Sequence, residues 1–437
     1  MGTEDHLRST ESSQQRFSFF KRLLKIGKAV DGKPAGIVEE AQTGSKPAGS
    51  GAPPISAIEP APAGEPVTTP ISTLATAPFQ PVENTPPAKS VSAAETFTVP
   101  VSAPAAPEVA QIPQSAKVVW ENKPAKALWY PPDFQVKLPA IEYHQYQDNY
   151  STDRRAANGW HIVGATRRGK KHAHDATHRE DAYAIETTQK FTVLAMADGA
   201  GAYPFSRLGS QYATTELVHH LSAQLTSTVE KCSGLAHVQF LDYLAEHMEK
   251  SILHVIDTLV NYADKNGVKP QDFRCTLLSA LFYHDDKYQV VLLNQIGDGA
   301  ICTYNKQTEG VRKIGGEGES GEHSGEVSRF VPDEASKKMN FHLLPPERMK
   351  EVDCLMLCSD GIEDPFYPME KNSGHIFRQF YHGVKEAELA GLGITQVPQP
   401  CVFTHPTEGA NLESWLTFDK RGESDDRTVL VMFRGRD

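Results

Sequence analysis

Val193-Leu194-Ala195-Met196-Ala197-Asp198-Gly199-Ala200-Gly201-Ala202 runs five apolar residues into an aspartate and a Gly-Ala-Gly-Ala turn. An apolar run this short, closed by glycines, predicts a buried strand. Its end presents a carboxylate, and Gly199 and Gly201 free the backbone to turn sharply and bring a carbonyl near whatever Asp198 binds. The arrangement recurs at Leu292-Leu293-Asn294-Gln295-Ile296-Gly297-Asp298-Gly299 and at Cys354-Leu355-Met356-Leu357-Cys358-Ser359-Asp360-Gly361. Three buried strands ending in Asp-Gly predict one acidic site assembled from distant parts of the chain.

Outward from that stretch, residues 161–166, 182–185, 273–284, 288–296, 300–304, 311–314, 352–358 and 428–433 read as further strands or parts of them. Residues 206–225 and 235–266 carry helical periodicity. Strands in runs, with long helices between them and no regular βαβ alternation, predict an α+β domain of antiparallel sheets flanked by helices. It is expected to span residues 159–437, long enough to bury one large core. Cys354 and Cys358 share a strand face with Met356, so core packing is the expected role rather than zinc binding.

The first part of the chain differs. More than half of the 30 prolines fall between Pro34 and Pro113. Residues 33–117 hold too few bulky apolar side chains to offset the entropy of ordering, which predicts a disordered tether. Residues 118–158, with Trp120, Trp129, Tyr130, Phe134, Tyr143 and Tyr146, read as an extended arm packing on the domain. Within residues 1–32, Arg16 to Lys28 forms a basic amphipathic pattern. Lys21, Arg22, Lys25 and Lys28 lie on one side, Phe19, Phe20, Leu23, Leu24 and Ile26 on the other. Such a helix suits an anionic membrane surface or a partner's groove.

A net charge of −11 argues against a general nucleic-acid partner. Six cysteines without a Cys-x-x-Cys pair, and no apolar leader at the start, predict a reducing, cytoplasmic location, with the basic helix allowing peripheral membrane attachment.

Asp181, Asp198, Asp298, Asp360 and Asp425 all flank predicted strands. One aspartate there is ordinary turn chemistry. Five that converge would repel one another unless a cation sits among them. Hard oxygen ligands favour magnesium, manganese or calcium over zinc. Two such ions about 3.5–4 Å apart can activate a water and stabilise charge on a phosphoryl group.

Glu180-Asp181-Ala182, Ala197-Asp198-Gly199-Ala200-Gly201, Gly297-Asp298-Gly299, Ser359-Asp360-Gly361-Ile362 and Asp425-Asp426-Arg427-Thr428-Val429, in that order, resemble the metal-dependent type 2C serine/threonine protein phosphatases. Gly169-Lys170-Lys171-His172 ahead of the first acid, and Ser206 and Gly209 after the Asp-Gly turn, bring the likeness closer to their bacterial branch. The resemblance covers about residues 159–435. It implies a sandwich of two antiparallel sheets with helices outside, and hydrolysis of phosphoserine and phosphothreonine with two Mn²⁺ or Mg²⁺ ions. Asp198 would bridge both ions, with the Gly199 carbonyl completing one shell. Asp360 and Asp425 would hold the other ion. Asp181, with Glu180, would act directly or through bound water. Asp298 and Asp364 match positions that hold a third, looser ion in many members. The implied partners are a phosphoprotein substrate and a cognate kinase, and residues 315–340 would form the variable flap.

Two positions depart from the family. Ala176 stands where many members have a phosphate-clamping arginine, and Ala200 where eukaryotic members have a histidine. Arg168 and His172, in a loop crowded with basic residues, are the expected substitutes for phosphate binding, since an arginine fork can grip two phosphate oxygens. Ala176 also motivates a second reading, a pseudophosphatase that binds phosphorylated partners or nucleotides without turnover.

Overall fold

The computed structural model describes residues 121–126, 148–155, 159–228, 237–285, 289–315, 329–385 and 389–435. The predicted Arg16–Lys28 helix, the 33–117 tether and residues 316–328 of the flap lie outside the described residues. Six strands form one antiparallel sheet, in the order β1 (Asn149–Arg155), β2 (Trp160–Arg167), β13 (Arg427–Arg434), β10 (Cys354–Cys358), β7 (Ala300–Asn305) and β8 (Gly310–Ile314). Five form a second, in the order β3 (Ala182–Thr187), β4 (Phe191–Ala197), β5 (Leu277–His284), β6 (Gln289–Ile296) and β9 (Phe341–Leu344). A short pair, β11 (Ile394–Thr395) with β12 (Asp419–Lys420), stands apart.

The helices are α1 (Lys170–Asp175), α2 (Ser206–Thr228), α3 (His237–Lys265), α4 (Pro346–Met349), α5 (Asp360–Glu363), α6 (Met369–His382) and α7 (Glu408–Trp415). α2 and α3 cover the five-stranded sheet, packing Leu217, Leu221, Ile252 and Val255 against Val193, Ala195 and Leu281. On the other side, α6 and α7 pack Ile376, Phe380 and Trp415 with Cys354, Met356 and Val431 of the six-stranded sheet. Leu194, Met196, Leu355, Leu357 and Leu430 fill the space between the sheets. Each central strand therefore buries both faces, which is why its sequence reads as a continuous apolar run rather than an alternation. Cys354, Met356 and Cys358 share the helix-facing side, buried, as expected of core residues.

The domain starts earlier than the sequence suggested. β1 lies inside the span read as an extended arm, and pairs along β2 from Asn149↔Arg167 to Arg155↔His161. Its sequence, Asn-Tyr-Ser-Thr-Asp-Arg-Arg, has no apolar signal, because an edge strand is held by backbone pairing more than by burial. The basic loop after β2 also contains a helix, α1. It ends at Ala176, whose backbone is left-handed (φ 59°, ψ 36°) and whose amide donates to the His172 carbonyl.

Antiparallel pairing explains the convergence of the acids. Ala182 pairs with Ala197, so Asp181, just before β3, and Asp198, just after β4, leave the sheet side by side. Cys358 pairs with both Val429 and Ala300, which brings Asp360, Asp425 and Asp298 to the same edge of the other sheet. An acid following one strand and an acid preceding its antiparallel neighbour must meet at one end.

Candidate active site

Two of the acids, Asp198 and Asp181, are anchored by residues from distant parts of the chain. The Asp198 amide donates to Thr276 Oγ1 at 2.9 Å, and the Thr276 amide donates back to the Asp198 carbonyl at 2.8 Å. Ser359 Oγ donates to Asp181 Oδ2 at 3.0 Å and accepts from the Thr428 amide at 3.0 Å. Ser359 thus ties the ends of β10 and β13 to the start of β3. Thr276 and Ser359 are positioning residues that sequence reasoning did not single out. Ser359 stood in a quoted motif, but nothing local to it announces a partner 178 positions away.

The acids burden one another. Burial first, then the charges of Asp181, Asp360 and Asp425, raise Asp198 well above the usual carboxylate range. Burial, then Asp425 and Asp298, do the same to Asp360. Asp181 is pushed up to about 7 by burial and by Asp426, and its side chain lies within hydrogen-bonding reach of Asp198. Burial followed by Glu363 and Asp364 brings Asp298 to about 7, and burial followed by Asp425 raises Asp364. Asp425 is itself raised, by burial and by adjacent Asp426. Asp181 Oδ1 and Asp360 Oδ1 are buried without a hydrogen-bond partner. Repelling, all-oxygen, partly unsatisfied carboxylates are the donor set a hard divalent cation satisfies. The residues present therefore fit the metal ions that the resemblance implies.

Gly199 serves differently from expectation. Neither it nor Gly201 has a positive φ. A Cβ at Gly199 would lie 3.0 Å from the Glu180 Cβ, so the need at that position is close approach of the Glu-Asp segment. At Gly361 the approach is closer still: a Cβ would sit 1.8 Å from the Asp426 carbonyl oxygen, which no side chain allows.

Asp426 is the third residue that sequence reasoning passed over. Its carboxylate accepts from the Gly169 amide at 2.6 Å and the Glu180 amide at 2.6 Å, and lies 2.9 Å from His172 Nδ1. Burial would raise Asp426, but the hydrogen bond and charge of His172 outweigh it and hold it below the usual range. Burial would lower His172, yet Asp426 and then Glu180 carry it up to about 9. One carboxylate thus clamps α1 and the Glu180-Asp181 segment to the start of β13. The signal was in the sequence as the adjacent pair Asp425-Asp426, since neighbours before a strand point opposite ways.

His172, Asp425 and Asp426 also place ligand atoms within 4.8 Å of one another, close enough for a single ion. A histidine held protonated at neutral pH is itself the cation in that trio, so it reads as a buried ion pair. His172 is therefore engaged by carboxylates in place of a phosphate. Arg168 is engaged too. Its side chain is 2 % exposed and donates to Asp148 Oδ1 at 2.7 Å, the Lys123 carbonyl at 2.6 Å and the His172 carbonyl at 3.1 Å. These bonds tie α1 to residues 121–126, whose amides at Lys123 and Lys126 donate to Ala173 and Ala176. The bonding of both side chains argues against the phosphate-gripping role expected of them. Glu180, pushed to about 7 mainly by burial, stands 3.8 Å from His172 at the rim of the cluster.

A family model for protein phosphatase 2C matches residues 168–392, just over half the chain. No curated protein sequence matches. Among solved structures, a bacterial serine phosphatase is 15% identical, with 63% of this chain and 98% of that one covered and a TM-score of 0.40. The serine/threonine phosphatase Stp1 from Staphylococcus aureus is 14% identical over 65% of this chain and 94% of its own, at a TM-score of 0.38. The Mycobacterium tuberculosis serine/threonine phosphatase PstP/Ppp is 13% identical over 63% and 99%, at 0.37. The chain belongs to the protein phosphatase 2C family, the metal-dependent serine/threonine protein phosphatases.

Proposed function

We propose that this chain removes phosphate from phosphoserine and phosphothreonine with two Mn²⁺ or Mg²⁺ ions. The observation that carries the reading is the convergence of Asp181, Asp198, Asp360 and Asp425, with raised carboxyl pKa values and two orphaned buried oxygens, at one edge of the sandwich. Asp198, with the Gly199 carbonyl, Asp181, Asp360 and Asp425 would hold the pair. Asp298 and Asp364 would hold a third, looser ion. Ions bound there would supply Lewis-acid polarisation of the phosphate and a water of lowered pKa. The chain's own part is positional. Thr276 and Ser359 fix the directions of Asp198 and Asp181, Asp426 holds the Glu180 backbone in place, and Glu180 at the rim can orient a water by hydrogen bonding. Full-length protein with Mn²⁺ is expected to release phosphate from a phosphopeptide and lose that activity in EDTA. Calorimetric Mn²⁺ binding without turnover on any phosphopeptide would favour the pseudoenzyme that Ala176 motivates.

The N-terminal segment carries a second proposal. Residues 16–28 would hold the phosphatase domain at an anionic membrane surface in the cytosol, where it would oppose a cognate kinase. Among the described residues no helix is long and apolar enough to cross a membrane. Vesicles containing anionic lipid should bind the full chain and release a variant lacking residues 1–30. Equal binding of both would rule the membrane version out.

A further inference from the structure

Arginines crowd the end of β2 and the start of β13, and among the described residues one of them is unspent. Arg179 donates to the Asp181 carbonyl. Arg427 donates Nη1 to the carbonyls of Leu416 and Phe418, and its guanidinium carbon lies 3.8 Å from the centroid of the Phe418 ring. Arg168 is committed as described above. Arg167 is half-buried and has no hydrogen bond or ion pair from its side chain among the described residues.

Arg167 and Arg427 are direct cross-strand partners on β2 and β13, so they project from the same sheet face. Like charges opposed in this way destabilise a sheet unless something compensates them. Arg427 is buried. Its hydrogen bonds go to neutral carbonyls, which satisfy its donors but leave its charge. Both arginines line a cavity of about 230 Å³ that also takes in Asn122, Gly169, Phe418 and Asp425. Of the cavity's other charges, Asp148 is paired with Arg168, Lys170 with Asp419 and Glu121 with Lys123. The volume is below the roughly 300–1,000 Å³ of whole small-molecule sites. It suits a side chain, and Asp425 makes it continuous with the acid cluster.

We infer that this cavity is an oxyanion subsite in which Arg167 grips an acidic side chain, a carboxylate or a second phosphate, beside the phosphorylated residue of the substrate. The inference rests on the phosphatase reading for the neighbouring site. The guanidinium fork meets two oxygens at once, and the incoming anion relieves the repulsion between Arg167 and Arg427.

The test uses the full chain and two fluorescent phosphopeptides that differ only in Glu or Gln next to the phosphoserine. Binding is followed by anisotropy in EDTA, and turnover with Mn²⁺. The Glu peptide is expected to bind about tenfold tighter, the effect of one charge-assisted contact, and to show the same ratio in KM. Arg167→Gln should flatten the preference to under twofold, and Arg167→Lys should keep part of it. Unchanged thermal midpoints show that the variants fold. A preference that survives Arg167→Gln overturns the proposal. So does competition by millimolar inorganic phosphate, dependent on Arg167, without discrimination between the peptides, since that marks a free-anion site. A wild-type chain that hydrolyses nothing would sink the phosphatase reading, and the comparison in EDTA would still decide the subsite.

Discussion

Asp198→Asn and Asp360→Asn are each expected to cut phosphate release by at least about 10²–10³-fold, the range lost when one preorganised electrostatic contact is removed, and to make the metal-free fold more stable. Both effects have one cause. Asp198 and Asp360 are raised well above the usual range by burial and by one another's neighbours, so an ionised folded state works against itself until cations arrive. An amide keeps the shape and removes a charge. Relief of about 2 kcal/mol would raise the thermal midpoint in EDTA by roughly 4–8 °C for a domain of this size. Mn²⁺ should raise the wild-type midpoint and barely move either variant.

The pH dependence follows with the same sign. Acids whose folded pKa is raised contribute stability that is full below their unfolded value of 3.8 and is lost as pH climbs through about 7, where Asp181 and Asp298 sit. His172, raised to about 9, contributes stability that is full below 6.5 and lost through 9. Asp426, lowered, contributes stability present above 3.8 and lost on acidification. The metal-free protein should therefore be most stable at about pH 4 and lose stability steadily as pH rises towards 7. Stabilisation by Mn²⁺ should grow from pH 6 to 8. Wild-type activity in either asparagine variant, or metal-free stability that rises from pH 5 to 8, would contradict the shared acidic centre.

Asp426→Ala is the second large expected loss, about 3–5 kcal/mol, the usual consequence of removing one partner from a buried pair. It strands the His172 charge and leaves the amides of Gly169 and Glu180 without their acceptor. Activity should fall with it, because the same carboxylate holds the Glu180-Asp181 segment against β13. Asp426→Asn keeps a carbonyl oxygen for one of those amides and removes only the charge, so it should cost less than half as much. Urea denaturation of the metal-loaded protein measures both. If Asp426→Ala lies within about 1 kcal/mol of wild type, the clamp described here is not what holds α1 in place.

The strands and the order of the acids were legible because their signals are local. A five-residue apolar run buried on two faces looks the same in the sequence as in the sandwich, and Asp-Gly at its end marks where the sheet stops. Hard-cation chemistry followed from counting carboxylates. β1 was not legible, since a polar edge strand is specified by the neighbour it pairs with. The partners of Arg168 and His172 were not legible for a related reason: a basic residue in a loop declares its charge but not its partner. His172 finds Asp426 and Arg168 finds Asp148, and charge paired inside the fold is no longer available to a substrate.

Chain-local chemistry thus made legible the fold class and the acids that a metal-dependent family would gather. Tertiary structure alone decided which cationic side chains find partners among the described residues. The Gly169 amide and the carboxylate of Asp426 that accepts from it are 257 positions apart, and Arg167 meets Arg427 only through the pairing of β2 with β13. Cross-strand register sets those encounters, and register is a property of the whole sheet that no short stretch of residues encodes.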